Sequence, residues 1–204
     1  MLFKNLIRII NNYKFYLIKI IFFELMYYFK GYKGNRFNFS KNDFMTDNLP
    51  CPYYFLLKIN NALKNKDIKN FLDLGCGSGR IIDFLSKNFP DKNFTGIEYF
   101  SEQYEYCKNI FKSKKNVNII NADFTKSDFF QYDADCYFLN EPFKKNLEFI
   151  EFMEKTVNSS LGKKNILFIF INCNRQIIEN LKNIKCLEEY YINDKKGYSI
   201  YSIN

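Results

Sequence analysis

Three of the eight glycines in this 204-residue chain fall within five positions, Gly75-Cys76-Gly77-Ser78-Gly79. They stand between an apolar run ending in Asp73-Leu74 and a periodic stretch that begins at Arg80. Glycines at such a turn let the backbone take positive φ and let a bound group approach the main chain without meeting a β-carbon. They also leave the N–H groups of the next helix open toward a negative group. The chemistry is that of a nucleotide or nucleoside cradle. Two phosphate-binding forms fit it poorly. The dinucleotide fingerprint needs glycine three positions beyond Gly77, where Arg80 stands, and no G-K-[ST] of a Walker loop occurs.

The rest of the composition narrows the reactions open to the chain. Histidine is absent, so Ser-His-Asp and Cys-His systems and any imidazole base are excluded. Cys51, Cys76, Cys107, Cys136, Cys173 and Cys186 are scattered without a C-x-x-C pair, so zinc-type spacing is missing and no metal site is expected. They read as reduced, mostly core thiols of a cytoplasmic protein.

Elements that would position the turn follow from periodicity. Strands are predicted at Asn70–Leu74, Asn93–Glu98, Val117–Asn121, Asp135–Asn140 and Asn165–Asn172. Helices are predicted at Cys51–Asn65, Arg80–Asn88, Ser101–Lys112, Leu147–Ser160 and Arg175–Asn183. Cys186–Ile192 and Tyr198–Ile203, around the polar NDKKG, read as a closing hairpin. The β-then-α order predicts a doubly wound α/β domain whose seven-stranded sheet is mostly parallel and ends in an antiparallel hairpin. Hydrophobic residues at 47% and aromatics at 20% supply its core.

The N-terminus has a different character. Residues 1–36 carry Lys4, Arg8, Lys14, Lys19, Lys30, Lys33 and Arg36 against Glu24 alone, which leaves the remainder nearly balanced. A nucleic-acid partner is therefore not expected, because phosphate binding needs a basic footprint on the domain itself. Charges interrupt every window of residues 2–29 long enough to span a bilayer, and no cleavage site follows. A basic amphipathic helix is expected there, packed on the domain or on a second subunit, or lying peripherally on the inner face of an anionic membrane. The glycine-bearing connector Gly31–Ser40 places a boundary between an N-terminal segment, residues 1–40, and the domain, residues 41–204.

The run D-L-G-C-G-S-G-R, Asp73 to Arg80, resembles motif I of the class I S-adenosylmethionine-dependent methyltransferases, and the later motifs follow in order. The resemblance covers residues 41–204 and is strongest over 70–143. It implies S-adenosylmethionine as cofactor, with Asp73, Gly75, Cys76, Gly77 and Gly79 shaping its site and Arg80 reaching its carboxylate or standing in solvent. In F-T-G-I-E-Y-F, Glu98 would accept from both ribose hydroxyls, beside Tyr99. In N-A-D-F, Asp123 would accept from the adenine amino group next to Ala122, with Phe124 on the ring or in the core.

Y-F-L-N-E-P-F, Tyr137 to Phe143, is similar to the D/N-P-P-Y/F element of amino-group methyltransferases, with Glu141 where proline stands, and to the N-P-F of small bacterial members whose substrates are unassigned. Strand carboxyl ends form the ligand crevice of open α/β sheets, so Asn140 and Glu141 become the catalytic candidates. Tyr53 and Tyr54, in a P-x-P-Y lead-in, are candidates for a cofactor lid or for the core. The resemblance implies methyl transfer to an acceptor it does not name, with an association to membrane or envelope as one option. Protein lysine or nucleic-acid amino methylation, and a cofactor-binding module without turnover, stand as alternatives.

Overall fold

The computed structural model describes residues 16–34, 50–126, 128–162 and 166–203. At its centre β1 (Asn70–Leu74) buries every residue from Phe71 to Leu74, as a strand covered on both faces must. Two helices, α1 (Leu17–Phe29) and α2 (Tyr53–Leu63), come before it. After it follow α3 (Arg80–Asn88), β2 (Asn93–Glu98), α4 (Ser101–Phe111), β3 (Val117–Asn121), a 3₁₀ turn (Phe129–Tyr132) and β4 (Cys136–Asn140). The chain continues through α5 (Asn146–Ser160), β5 (Leu167–Ile171), α6 (Arg175–Glu179), β6 (Ile184–Asn193) and β7 (Lys196–Ile203).

The seven strands lie in the order β3-β2-β1-β4-β5-β7-β6. All neighbouring pairs from β3 to β5 are parallel, and β7 runs antiparallel to both β5 and β6. The strand order reverses between β1 and β4, the switch point at which open α/β sheets bind ligands beyond the strand carboxyl ends. Asp73 pairs in register with Gly96 of β2 and Phe138 of β4, so the three strand tips stand level.

Alternation along the strands divides the core into two layers. Phe71, Phe94, Phe138 and Ile169 face α2, α3 and α4, where Phe55, Phe84 and Cys107 meet them. Leu72, Tyr137, Leu139 and Phe170 face α5, where Phe149, Met153 and Val157 meet them. The aromatic content predicted for the core takes defined geometry, for example Phe71 stacked on Phe94 at 4.9 Å between centroids.

Several boundaries differ from the sequence reading, among them the helix predicted over Cys51–Asn65, which covers Tyr53–Leu63, and the strand predicted over Asn165–Asn172, which covers Leu167–Ile171. The fourth strand begins at Cys136, because the Asp135 carboxylate turns away to accept from the N–H groups of Lys69 and Asn70. The helix predicted to reach Asn183 stops at Glu179, and Asn183 takes a positive φ of 62° as the chain swings into β6. The hairpin strands are longer than predicted, with only Asp194 and Lys195 between them. The N-terminal helix is described from Leu17, so residues 2–15 of the expected helix lie outside the described residues.

What is described of that helix packs on the domain. Tyr27 joins the layer formed by α2 and α3, and its ring stacks on Tyr53 at 4.8 Å. Of the residues expected on the helix's polar arc, Lys4, Arg8, Asn11 and Asn12 lie outside the described residues, and Lys19 and Lys30 are exposed. Ile20 and Tyr27 are buried, yet Ile18, Phe22, Leu25 and Phe29 on the other side are exposed. Only Lys19 and Glu24 carry charge within Leu17–Phe29, so the helix is apolar nearly all round.

Candidate active site

At the end of β1 the chain turns through Gly75, Gly77 and Gly79, which have φ of 80°, 54° and 79°. The N–H groups of Gly75 and Cys76 both donate to Ile97 O, at 2.9 and 3.0 Å, which ties the turn to β2. Gly79 has two reasons to lack a side chain. Its φ is left-handed, and a β-carbon there would lie 2.6 Å from Cys107 Sγ.

Two carboxylates border this turn with opposite degrees of satisfaction. Glu98, at the tip of β2, accepts from Gly77 N and Phe100 N, each at 2.8 Å. Burial pushes its pKa up, and the N–H groups of Phe100, Gly77 and Tyr99 pull in the other direction. Asp73 is only 3% exposed, and neither of its oxygens has a hydrogen-bond partner. Burial first, then the nearby Glu98 charge, pushes its pKa up to about 8.

At the tip of β3, the Asp123 carboxylate accepts from the backbone N–H and hydroxyl of Thr125 and pairs with Lys126 at 3.2 Å. Burial raises its pKa, and the Thr125 hydroxyl and N–H and the Lys126 ammonium more than reverse this, so it stays ionised. Asn121 clamps the loop after β2, its Nδ2 donating to Glu98 O at 2.8 Å and Tyr99 O at 3.0 Å.

A second polar group forms at the tips of β4 and β5. Asn140 Oδ1 accepts from Asn172 Nδ2 at 3.2 Å. The buried Asn172 Oδ1 has no hydrogen-bond partner. Glu141 has a φ of 44°, a conformation closed to the proline of the amino-group element. Its N–H donates to Ile171 O at 2.9 Å, and its carboxylate meets Lys196 Nζ at 3.1 Å.

Comparison with known proteins agrees with this arrangement. A family described as a methyltransferase domain matches residues 71–156, from the central strand into α5. Residues 71–156 thus match a methyltransferase domain. The chain is 28% identical over 138 residues to (S)-coclaurine N-methyltransferase of Papaver somniferum, covering 63% of this chain and 36% of that one. It spans about a third of the length of the curated relatives it matches. The SAH-bound methyltransferase PaMTH1 of Podospora anserina superposes with a TM-score of 0.56 at 13% identity, over 74% of this chain and 76% of that one. Fibrillarin of Aeropyrum pernix, with natively bound S-adenosylmethionine, gives 0.55 at 14%, over 72% and 74%.

The turn at the tip of β1 has features that would suit S-adenosylmethionine, the ligand bound in the fibrillarin neighbour. A buried carboxylate with two unmatched oxygens, Asp73, suits a group that carries an ammonium and a sulfonium. The positive-φ turn leaves backbone beside it bare of β-carbons. Asp73, Gly75, Cys76, Gly77 and Gly79 stand together at the tip of β1, and Glu98, Ala122 and Asp123 stand on the two adjoining tips. Ala122 N donates to Glu98 O at 3.1 Å, which joins those tips. Tyr99 is exposed beside them, with its ring edge-on to Phe100 at 5.2 Å.

Three other expectations resolve toward structure. Phe124 is a core residue, packed on Phe143 at 5.7 Å and Phe152 at 5.3 Å. Tyr53 is buried rather than lid-forming, and Tyr54 bonds hydroxyl to hydroxyl with Tyr190 at 3.0 Å. Arg80, expected in solvent or on the cofactor, is 4% exposed. Its guanidinium donates to both Glu24 oxygens, at 3.0 and 2.8 Å, and to Cys51 O at 3.1 Å. It also lies over the Tyr53 ring at 4.5 Å.

Sequence reasoning missed Glu24, Asn121, Asn172 and Lys196. Asn172 was findable, since it ends the fifth strand as Asn140 ends the fourth. Lys196 carried no signal, because its place depends on how the antiparallel hairpin docks against β5.

Proposed function

We propose that this protein transfers a methyl group from S-adenosylmethionine to an amine nitrogen of an acceptor held at the tips of β4 and β5. The carrying observation is the buried, unpartnered Asn172 Oδ1 beside Asn140. A buried carbonyl oxygen without a donor is costly, so a ligand group that donates belongs next to it. Asn172 Nδ2 donates to Asn140 and Lys196 Nζ to Glu141, and neither bond reaches the Asn172 oxygen. The Asn172 carbonyl is thus an acceptor open to a ligand, which suits a neutral amine offering an N–H group.

The cofactor supplies a methyl group already activated on a sulfonium. The protein's share is to hold the nucleophile in line and to manage its proton. Glu141 is the acceptor for that proton, held by Lys196 at the crevice edge. The curated poppy relatives are named as N-methyltransferases, which supports nitrogen as the methylated atom.

The test is transfer of labelled methyl from S-adenosylmethionine to matched panels of amines and hydroxyl compounds, and to cell extract, with cofactor binding followed by calorimetry. Label on amines supports the proposal. Label confined to oxygen would overturn the choice of nitrogen. Cofactor binding with no transfer to any acceptor would leave a binding module without turnover.

A further inference from the structure

The outward face of α1 is a feature that the methyl-transfer reading leaves unused. Ile18, Ile21, Phe22, Leu25, Tyr28 and Phe29 are all exposed, Ile18 to 79% and Phe29 to 81%. Their spacing of three, four, seven, ten and eleven residues from Ile18 places them on one stripe. Scattered exposed apolar residues need no explanation, but a continuous helical stripe of this kind marks an interaction surface.

Charge around the stripe selects its partner. Glu24, the sole acidic residue of segment 1–36, is turned inward, accepting from Arg80 and from Tyr53 N. Lys19 and Lys30 are exposed beside the stripe, and Lys30 lays its stem along Tyr27 with Nζ 5.3 Å from the ring centre. Among the described residues, the surface of α1 is therefore apolar in the middle and cationic at its margins, with no acidic residue on its outer side.

From this geometry we infer that α1 docks the protein onto an anionic membrane surface, its axis in the plane of the interface. The stripe enters the boundary between headgroups and acyl chains, and the lysines meet lipid phosphates. Thirteen residues make a helix about 20 Å long, short of the roughly 30 Å hydrocarbon core. Among the described residues no helix is long and apolar enough to cross a membrane. A second copy of the chain is the weaker fit. A twofold contact through this face would set the basic residues of one segment against those of the other with no acidic partner. The docking surface stands independently of which atom is methylated.

The experiment is vesicle flotation of the full chain with phosphatidylglycerol–phosphatidylcholine vesicles and with phosphatidylcholine alone. Sedimentation velocity and S-adenosylmethionine calorimetry follow on the same samples. The full chain is expected to float with the anionic vesicles and to partition at least about tenfold less onto the neutral ones. Phe22→Ser with Phe29→Ser should abolish flotation, and Lys19→Glu with Lys30→Glu should lower it at least about tenfold, both variants retaining cofactor affinity. A protein that binds cofactor but ignores anionic vesicles would overturn the inference. So would a concentration-dependent dimer that the Phe22/Phe29 variant dissociates.

Discussion

The guanidinium of Arg80 and the carboxylate of Glu24 meet at 2.8 Å across 56 residues of sequence, one residue beyond the glycine turn. Gly34 O reinforces the link, accepting from Ser78 Oγ at 2.7 Å within the turn itself. The N-terminal helix is thus fastened to the cofactor cradle, not merely laid against the sheet.

Removing one side of that fastening leaves buried polar groups unmatched. Arg80→Ala takes the guanidinium from Glu24 and Cys51 O, leaving Tyr53 N on the carboxylate, and is expected to destabilise the protein by about 2 kcal/mol, below the scale for a fully buried pair because Glu24 is partly exposed. Urea denaturation measures the loss. Arg80→Lys should recover only part of it, because an ammonium cannot reproduce the fork. A variant as stable as the parent would show that the pair carries no weight.

The Asp73 carboxyl sets a pH dependence whose sign is fixed by its shift from 3.8 to about 8. Between those values the folded chain holds a proton that the unfolded chain releases. Stability therefore falls as pH rises through this window and stays reduced above it. Asp73→Asn should remove that slope and raise the melting temperature at pH 9 by at least about 4 °C. Parallel melting curves for parent and variant from pH 5 to 9 would contradict this.

The same residue links cofactor uptake to proton release. Below pH 8 the cation of the ligand must expel the Asp73 proton, so affinity should climb toward pH 8 by up to about tenfold per unit. Calorimetry in buffers of different ionisation enthalpy counts the released proton. Asp73→Asn should bind more weakly and without the pH dependence.

Two glycines in one turn should respond differently to alanine. Gly79→Ala meets both strain at φ 79° and a β-carbon 2.6 Å from Cys107 Sγ, whereas Gly75→Ala meets Phe124 only at an ordinary 3.6 Å. Backbone strain alone costs on the order of 1–2 kcal/mol. Gly79→Ala should therefore lower the melting temperature clearly more than Gly75→Ala. Equal losses would mean that α4 shifts to make room.

Glu141 offers a test of proton handling. Glu141→Gln should lower kcat by about 100-fold while leaving cofactor affinity unchanged, and Lys196→Met should lower it less by freeing the carboxylate to wander. The pH profile of the Lys196 variant separates positioning from bulk structure. Unchanged turnover in Glu141→Gln would remove that side chain from the mechanism.

The fold was legible because its signals are local. Strands such as Asn93–Glu98 and Val117–Asn121 emerge with the predicted bounds, since an apolar run closed by turn residues needs no distant information. The cradle was legible for the same reason, its glycines, Glu98 and Asp123 each marking a strand tip. What was hidden depends on contacts across long separations. Glu24 reads as one charge on an apolar helix until Arg80 arrives beside it. Asn172 and Lys196 acquire roles only when β7 inserts between β5 and β6 in the reverse direction. The outward stripe of α1 was not legible, because an apolar helix gives no sequence clue to which side the domain covers.

The passage of the chain past the cradle at Gly34 reaches further than the cradle itself. A β-carbon at Gly34 would lie 2.5 Å from the backbone of Arg80, so the two strands of chain are fitted to each other almost without clearance. The recognisable family segment, residues 71–156, leaves this whole collar outside. A shortened version trimmed to that segment, or a chimera that grafts it behind a foreign leader, would inherit every signature residue and still begin with its ligand loop unbraced. The boundaries of the part that can be exchanged intact are set by that collar, not by the motifs.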